Sequence, residues 1–243
     1  MTLIAGIILG NGILMVSDSR ETFEDTSDVF SEYRRKITFV TPAVTLGTTG
    51  YDSTFHAARI LRRSLYNNWR KNTIEDQRKF ILDFYRHVNL LHLANRTLQN
   101  PVGDILVAEY DATQNKYTLL SNDGMDHFKE FTIHNQIRDT VLVGANKNVR
   151  DTTKSQIKDI LQSLNDTEIN CYEAQEYVAK ECQKIFKHQA SEYPGINDKL
   201  YCVYSSTLNG QPAVAVYLIE SDGTLHNLDK EQDGEDIILP IKK

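Results

Sequence analysis

No apolar run in the sequence approaches the roughly 18–20 residues that a membrane-spanning helix needs, which excludes a helical membrane protein. An excess of positive charge is also missing. The 27 Lys+Arg are outnumbered by 33 Asp+Glu, for a formal net charge of −6. Partners such as nucleic acid or anionic membrane are met by basic patches, so neither is expected here. The densest basic stretch, Arg59, Arg62, Arg63, Arg70 and Lys71, reads as the wet face of a helix. Cysteine is scarce: Cys171, Cys182 and Cys202 form no CxxC pair and leave one over in any pairing. That pattern fits a reducing compartment with buried thiols acting as small apolar side chains. The N-terminus has neither a positively charged leader nor a small-residue cleavage site, so no signal peptide is read and a cytoplasmic location is expected.

Several chemical motifs are absent too. There is no GxxxxGK[ST] phosphate loop and no GxSxG elbow, and the seven histidines make no HExxH. His87 and His92 are five residues apart, on different faces of a helix, whereas helical ligand pairs favour a spacing of four. No metal and no cofactor are therefore expected. Two glycosylation sequons, Asn95-Arg96-Thr97 and Asn165-Asp166-Thr167, carry no meaning in a cytosolic protein.

What is present is ordinary globular material, 40% hydrophobic and 25% charged, which rules out disorder as the main state. No repeat, low-complexity tract or linker divides the chain, so residues 1–243 read as one domain. Apolar runs at 3–9 and 12–17 flank Gly10-Asn11-Gly12, a hairpin signal. Residues 18–35 read as a long connection, followed by strands at 36–40 and 43–48. From about 52 the period turns helical, with Phe55, Ala58, Leu61, Leu65 and Trp69 on one face. A second helix starts at Thr73, capped with Asp76, and carries the stripe Ile74, Ile81, Phe84, Val88 and Leu91 to about Leu98. Strands return at 104–109, 116–120, 127–133 and 140–144. Helices follow at 152–164 and 167–188, then strands at 200–206, 212–219 and 224–228, with Leu208-Asn209-Gly210 as a turn. Because helices come in pairs between blocks of strands, parallel βαβ units are disfavoured. An α+β fold with two antiparallel sheets face to face, and a helix pair outside each, would bury every stripe.

One residue offers chemistry. Aminopeptidases remove Met1 when the next residue is small, and Thr2 qualifies. The exposed threonine would hold a hydroxyl nucleophile and, in its own α-amine, a base with an unperturbed pKa of about 7.7–8.0. Sixteen residues later comes Asp18-Ser19-Arg20-Glu21-Thr22, at the end of the strand that the hairpin returns beside Thr2. Lys36-Ile37 opens the next strand, and Gly50 lies 14 residues beyond Lys36, just before a helix.

This set resembles the catalytic β-subunits of the proteasome and the bacterial HslV peptidase, members of the N-terminal nucleophile (Ntn) hydrolases. It is most similar to the stand-alone bacterial proteasome homologues called Anbu. The resemblance implies a four-layer αββα sandwich. It makes Thr2 the nucleophile and general base, and it places Lys36 beside the Thr2 hydroxyl. Asp18 would orient Lys36, and the Gly50 N–H would hold the oxyanion. Arg20 would brace the site through an ion pair, and Asp198 would support the threonine amine. Thr22 and Gly50 would pair with an extended substrate, while Thr48, Asp52 and Arg34 would line the pocket for the residue before the scissile bond, with a preference for a polar or basic side chain. The implied function is hydrolysis of peptides or unfolded proteins by a ring or stacked homo-oligomer, with an ATP-dependent unfoldase as a possible partner.

The sequence departs from the family at two supporting positions. Ala145 stands where a serine hydroxyl is usual, in Gly144-Ala145-Asn146, and Tyr201 stands where Asp-x-x-Ser has its serine. These departures keep two other readings open, a non-catalytic proteasome-like assembly subunit and an Ntn amidase for small molecules.

Overall fold

The N-terminal apolar run forms the expected hairpin, Leu3–Leu9 (β1) and Gly12–Asp18 (β2), in a computed structural model that describes residues 2–23, 28–94 and 100–228. Every residue of both strands is buried. The reason is the period of two: Leu3, Ala5, Ile7 and Leu9 enter one apolar cluster, while Ile4 and Ile8 enter another on the opposite face.

The chain continues as β3 (Glu21–Thr22), β4 (Val29–Ser31), β5 (Ile37–Thr41) and β6 (Val44–Thr48). Two helices follow, α1 (Asp52–Leu65) and α2 (Ile74–Ala94), and then four strands, β7 (Ile105–Asp111), β8 (Lys116–Asn122), β9 (Thr132–His134) and β10 (Thr140–Gly144). Helices α3 (Lys147–Ser163), α4 (Asp166–Ile169) and α5 (Ala174–Glu192) lead to β11 (Leu200–Leu208), β12 (Gln211–Ile219) and β13 (Leu225–Asn227). The class is α+β. A six-stranded sheet runs β10-β1-β2-β11-β12-β13, a five-stranded sheet runs β5-β6-β7-β8-β9, and β3 pairs with β4, all antiparallel.

Three apolar clusters glue these elements. Leu3, Leu14, Leu200 and Tyr217 pack with Ile157 and Leu161 of α3 and Val178 and Phe186 of α5. Ile4, Met15, Val203 and Leu218 meet Ile37, Phe39, Leu106 and Leu119, so the two large sheets share a core. Val44, Leu46, Ile105 and Val107 pack with Ala58 and Leu61 of α1 and Ile81 and Tyr85 of α2. Both large sheets thus contribute side chains to the cluster they share and to a cluster shared with helices. Among the described residues no helix is long and apolar enough to cross a membrane.

Four local expectations are corrected. The 18–35 connection contains β3 and β4. On α2 the buried stripe is Gln77, Ile81, Tyr85 and Asn89, and Leu91 is exposed. The pattern misleads because two buried positions are polar: Thr41 Oγ1 donates to Gln77 Oε1 (3.2 Å) and Val102 N donates to Asn89 Oδ1 (2.9 Å). The predicted strand 127–133 shrinks to β9, because His127 and Phe128 adopt positive φ of 60° and 58°, which no strand continues. The predicted helix 167–188 is broken into α4 and α5, leaving Cys171 exposed rather than buried. Met1, the sequon at 95–97 and the end of α2 expected near Leu98 lie outside the described residues.

Candidate active site

The β1–β2 hairpin returns the chain beside its own start. Ser17 pairs with Ile4, so the next residue, Asp18, reaches the Thr2–Leu3 segment. The Leu3 N–H donates to Asp18 Oδ1 at 2.8 Å. The other carboxylate oxygen accepts from Lys36 Nζ at 2.7 Å, and the same ammonium donates to the Arg20 carbonyl at 2.7 Å. Both side chains are closed off from solvent, Asp18 at 0% and Lys36 at 2% exposure. Burial of an ion pair is costly unless its hydrogen bonds are supplied, and here the fold supplies them. Burial holds the Lys36 ammonium below the ordinary lysine range, and the Asp18 carboxylate opposes that shift.

The segment that carries Asp18 is braced from behind. Ser19 N donates to Asn197 Oδ1 at 2.9 Å, and Asn197 Nδ2 donates to Glu32 at 2.7 Å. Arg20 pairs with Glu32 at 2.9 Å, and its Nη1 donates to the Pro194 carbonyl at 2.6 Å.

Gly50 closes β6 and opens α1 with φ of +96°, a conformation that L side chains rarely adopt. A Cβ here would also run into the Val102 carbonyl and the backbone of Gly103. The surrounding loop is tied down by Thr49 N to Asp104 O (3.0 Å) and Tyr51 N to Val102 O (3.1 Å). Gly50→Ala is therefore expected to destabilise the protein by about 1–3 kcal/mol, seen as a lowered Tm.

Thr2, Lys36 and Gly50 face one cavity of about 730 Å³. Its lining also includes Arg20, Thr22, Arg34 and Asp52, so seven of the expected residues meet there. Asp18 lies beneath, under Lys36. Arg34 stacks its guanidinium over Phe55 at 5.2 Å and pairs with Glu21 at 3.6 Å. Two expected positions fall elsewhere. Thr48 is buried in β6, where its N–H donates to the Lys36 carbonyl at 3.0 Å, and it fixes the strand that carries Lys36 rather than lining the cavity. Asp198 accepts from Ser221 Oγ at 2.7 Å, is not part of the cavity lining, and its neighbour Asn197 does the bracing. Tyr201 is buried in the core between the sheets, with the Arg35 guanidinium 5.8 Å from its ring centroid.

Some lining residues had no signal in the sequence reading. Phe23, Phe30 and Phe55 make aromatic walls, and His92 arrives from α2 with its ring 4.4 Å from that of Tyr51. Glu21 and Tyr51 were legible only as neighbours of motif positions. Among the described residues no group of three or more His, Cys, Asp or Glu is arranged to hold a metal ion.

The arrangement gathers the Thr2 hydroxyl, the buried Lys36 ammonium and the Gly50 loop around one cavity. No protein-family model matches the chain, and no curated protein matches it.

Proposed function

We propose that this protein is an N-terminal-threonine peptidase of the proteasome and HslV type, active once Met1 has been removed. The observation that carries the reading is that Thr2, Lys36 and Gly50, separated by 48 positions of sequence, line one cavity, with Asp18 bound to Lys36 beneath. The succession of helices, sheet, sheet and helices around three apolar clusters supports a four-layer αββα sandwich formed by a single domain.

In this mechanism the Thr2 Oγ attacks the scissile carbonyl carbon while its proton passes to the α-amine. The charge of Lys36 favours the developing alkoxide and keeps the neighbouring amine neutral. The tetrahedral oxyanion is held by the Gly50 N–H, a contact of a kind worth about 2.7–4 kcal/mol. Collapse expels the leaving amine, which takes the proton, and leaves an ester on Thr2. Water then hydrolyses the ester and regenerates the hydroxyl. No cofactor or metal is needed. Thr22 sits at the rim to pair with an extended peptide, and Asp52 with the aromatic walls suits a polar or basic residue before the cut. The substrate is a peptide or an unfolded protein. The working form is a cytoplasmic homo-oligomer, ring or stack, fed in one version by an ATP-dependent unfoldase, and neither nucleic acid nor membrane is a partner.

Ala145 and Tyr201 favour one rival, a non-catalytic assembly subunit, because Ala145 lacks the family's serine hydroxyl and Tyr201 replaces the other serine with a ring buried between the sheets. Peptide epoxyketones separate the two, since they need both a hydroxyl and a free amine. The peptidase is expected to lose Met1 and to gain one inhibitor mass at Thr2 by peptide mass spectrometry. A retained Met1 with no adduct leaves the assembly subunit.

A further inference from the structure

The two reacting partners of the proposed site belong to different sheets. Thr2 leads into β1 of the six-stranded sheet, whereas Gly50 follows β6 of the five-stranded sheet. Nothing along the chain fixes their separation, so contacts across the sheets must, and catalytic groups need placement to about 0.5 Å.

One side chain makes such a contact beside both. Asp104 lies at the start of β7 in the five-stranded sheet. Its backbone is locked to the Gly50 loop in both directions: Thr49 N donates to its carbonyl at 3.0 Å, and its own N–H donates to Thr49 Oγ1 at 3.1 Å. Its carboxylate crosses to the other sheet, where the Gly144 N–H donates to Oδ2 at 2.6 Å. Gly144 pairs with Leu3, and the next N–H, that of Ala145, donates to the Thr2 carbonyl at 2.7 Å.

The Gly144–Ala145 turn is strained and tightly held. Its residues have φ of +80° and +37°, the second uncommon for a residue with a Cβ. A Cβ on Gly144 would collide with the Thr2 carbonyl and the Thr49 methyl, so the turn touches both halves of the site. From its far side Arg150, on α3, donates Nη1 to the carbonyls of Gly144 (2.7 Å) and Ala145 (2.9 Å). A strained turn persists only where its surroundings over-determine it, and these two side chains do so. Burial pushes the Asp104 carboxyl above its ordinary range, while the Gly144 N–H and Arg150 act against that.

We infer that Asp104 and Arg150 are positioning residues that clamp the Gly144–Ala145 turn and so set the distance between Thr2 and the Gly50 loop. The inference rests on the peptidase reading above. Neither residue touches the reacting atoms. Their loss should therefore act on the transition state and leave the binding of substrate almost unchanged.

The test compares Asp104→Ala, Asp104→Asn, Arg150→Met and Arg150→Lys with the full wild-type chain. Asp104→Ala is expected to lower kcat at least 30-fold, and Arg150→Met about tenfold, with KM within threefold. Affinity for a peptide aldehyde, whose adduct uses the oxyanion site, should fall in parallel with kcat. Asp104→Asn, which keeps an acceptor for Gly144, and Arg150→Lys, which keeps a donor, should stay within fivefold. Epoxyketone should still label Thr2 to completion in every variant. If Asp104→Ala does not fold, Arg150→Met decides, because its side chain is only half-buried on a helix. A folded Asp104→Ala or Arg150→Met with kcat within threefold of wild type, or with the loss confined to KM, overturns the clamp. An inactive, unlabelled wild type overturns the peptidase reading instead.

Discussion

Thr2→Ala is expected to reduce hydrolysis of a fluorogenic peptide panel by at least about 10³-fold, since the proposed mechanism forms its acyl-enzyme on the Thr2 hydroxyl. Alanine is small enough to permit removal of Met1, so the variant isolates the hydroxyl from processing. The replaced side chain is only partly buried, so stability should change by less than about 1 kcal/mol. Thr2→Ser keeps both hydroxyl and amine and should retain activity within about tenfold. Unchanged turnover in Thr2→Ala would remove the peptidase reading altogether.

Asp18→Asn should have the largest effect on stability. Asparagine can still accept from the Leu3 N–H, but it removes the carboxylate charge hydrogen-bonded to the buried Lys36 ammonium and leaves only Glu21 to act on it as a countercharge. Breaking a buried pair in this way costs about 3–5 kcal/mol. The pH dependence follows from the direction of the Lys36 shift, which burial already carries downward and Asp18 opposes. Without the carboxylate the shift deepens. A lysine depressed in the folded state penalises folding while it must stay charged, so the loss should be full at neutral pH. It should shrink as pH rises through the depressed pKa toward the ordinary lysine range. The alkaline limb of the kcat profile should also move to lower pH, because Lys36 sheds its proton earlier. Denaturant unfolding at neutral and alkaline pH, with a pH–rate profile, checks both. Equal stability for the two proteins at neutral pH would count against a charged pair.

The strands and helices were legible wherever apolar residues kept a clean period. β1 and β2 could be read because their continuous Leu, Ile and Val runs are buried on both faces. The Thr73–Asp76 cap was legible as a local exchange of hydrogen bonds, which needs no tertiary partner. The stripe of α2 was misread because Gln77 and Asn89 are buried polar residues whose partners, Thr41 and Val102, are distant in sequence. The pairing of Asp18 with Lys36 is what the family resemblance implies, and the structure brings them to 2.7 Å. Asp104 and Arg150 could not be anticipated. Their roles rest on backbone N–H and carbonyl groups of one turn, and every residue type carries those groups. Asn197 has no such signal either: the family's Asp-x-x-Ser pattern points to its neighbour Asp198, while the partners of Asn197, Ser19 and Glu32, are distant in sequence.

The division of the site between two sheets has a consequence for biogenesis. Hairpin β1–β2 can form early, for its partners are adjacent in the chain, and it brings Asp18 to Leu3. Lys36, Gly50 and Gly144 arrive only when the second sheet docks and β10 closes on β1, which are non-local and therefore slower events. A chain still emerging or half-folded thus holds Thr2 apart from the Lys36 ammonium and the Gly50 loop. On the proposed reading, topology withholds the chemistry until both sheets have docked. In refolding, recovery of turnover should trail the return of helical and strand signal.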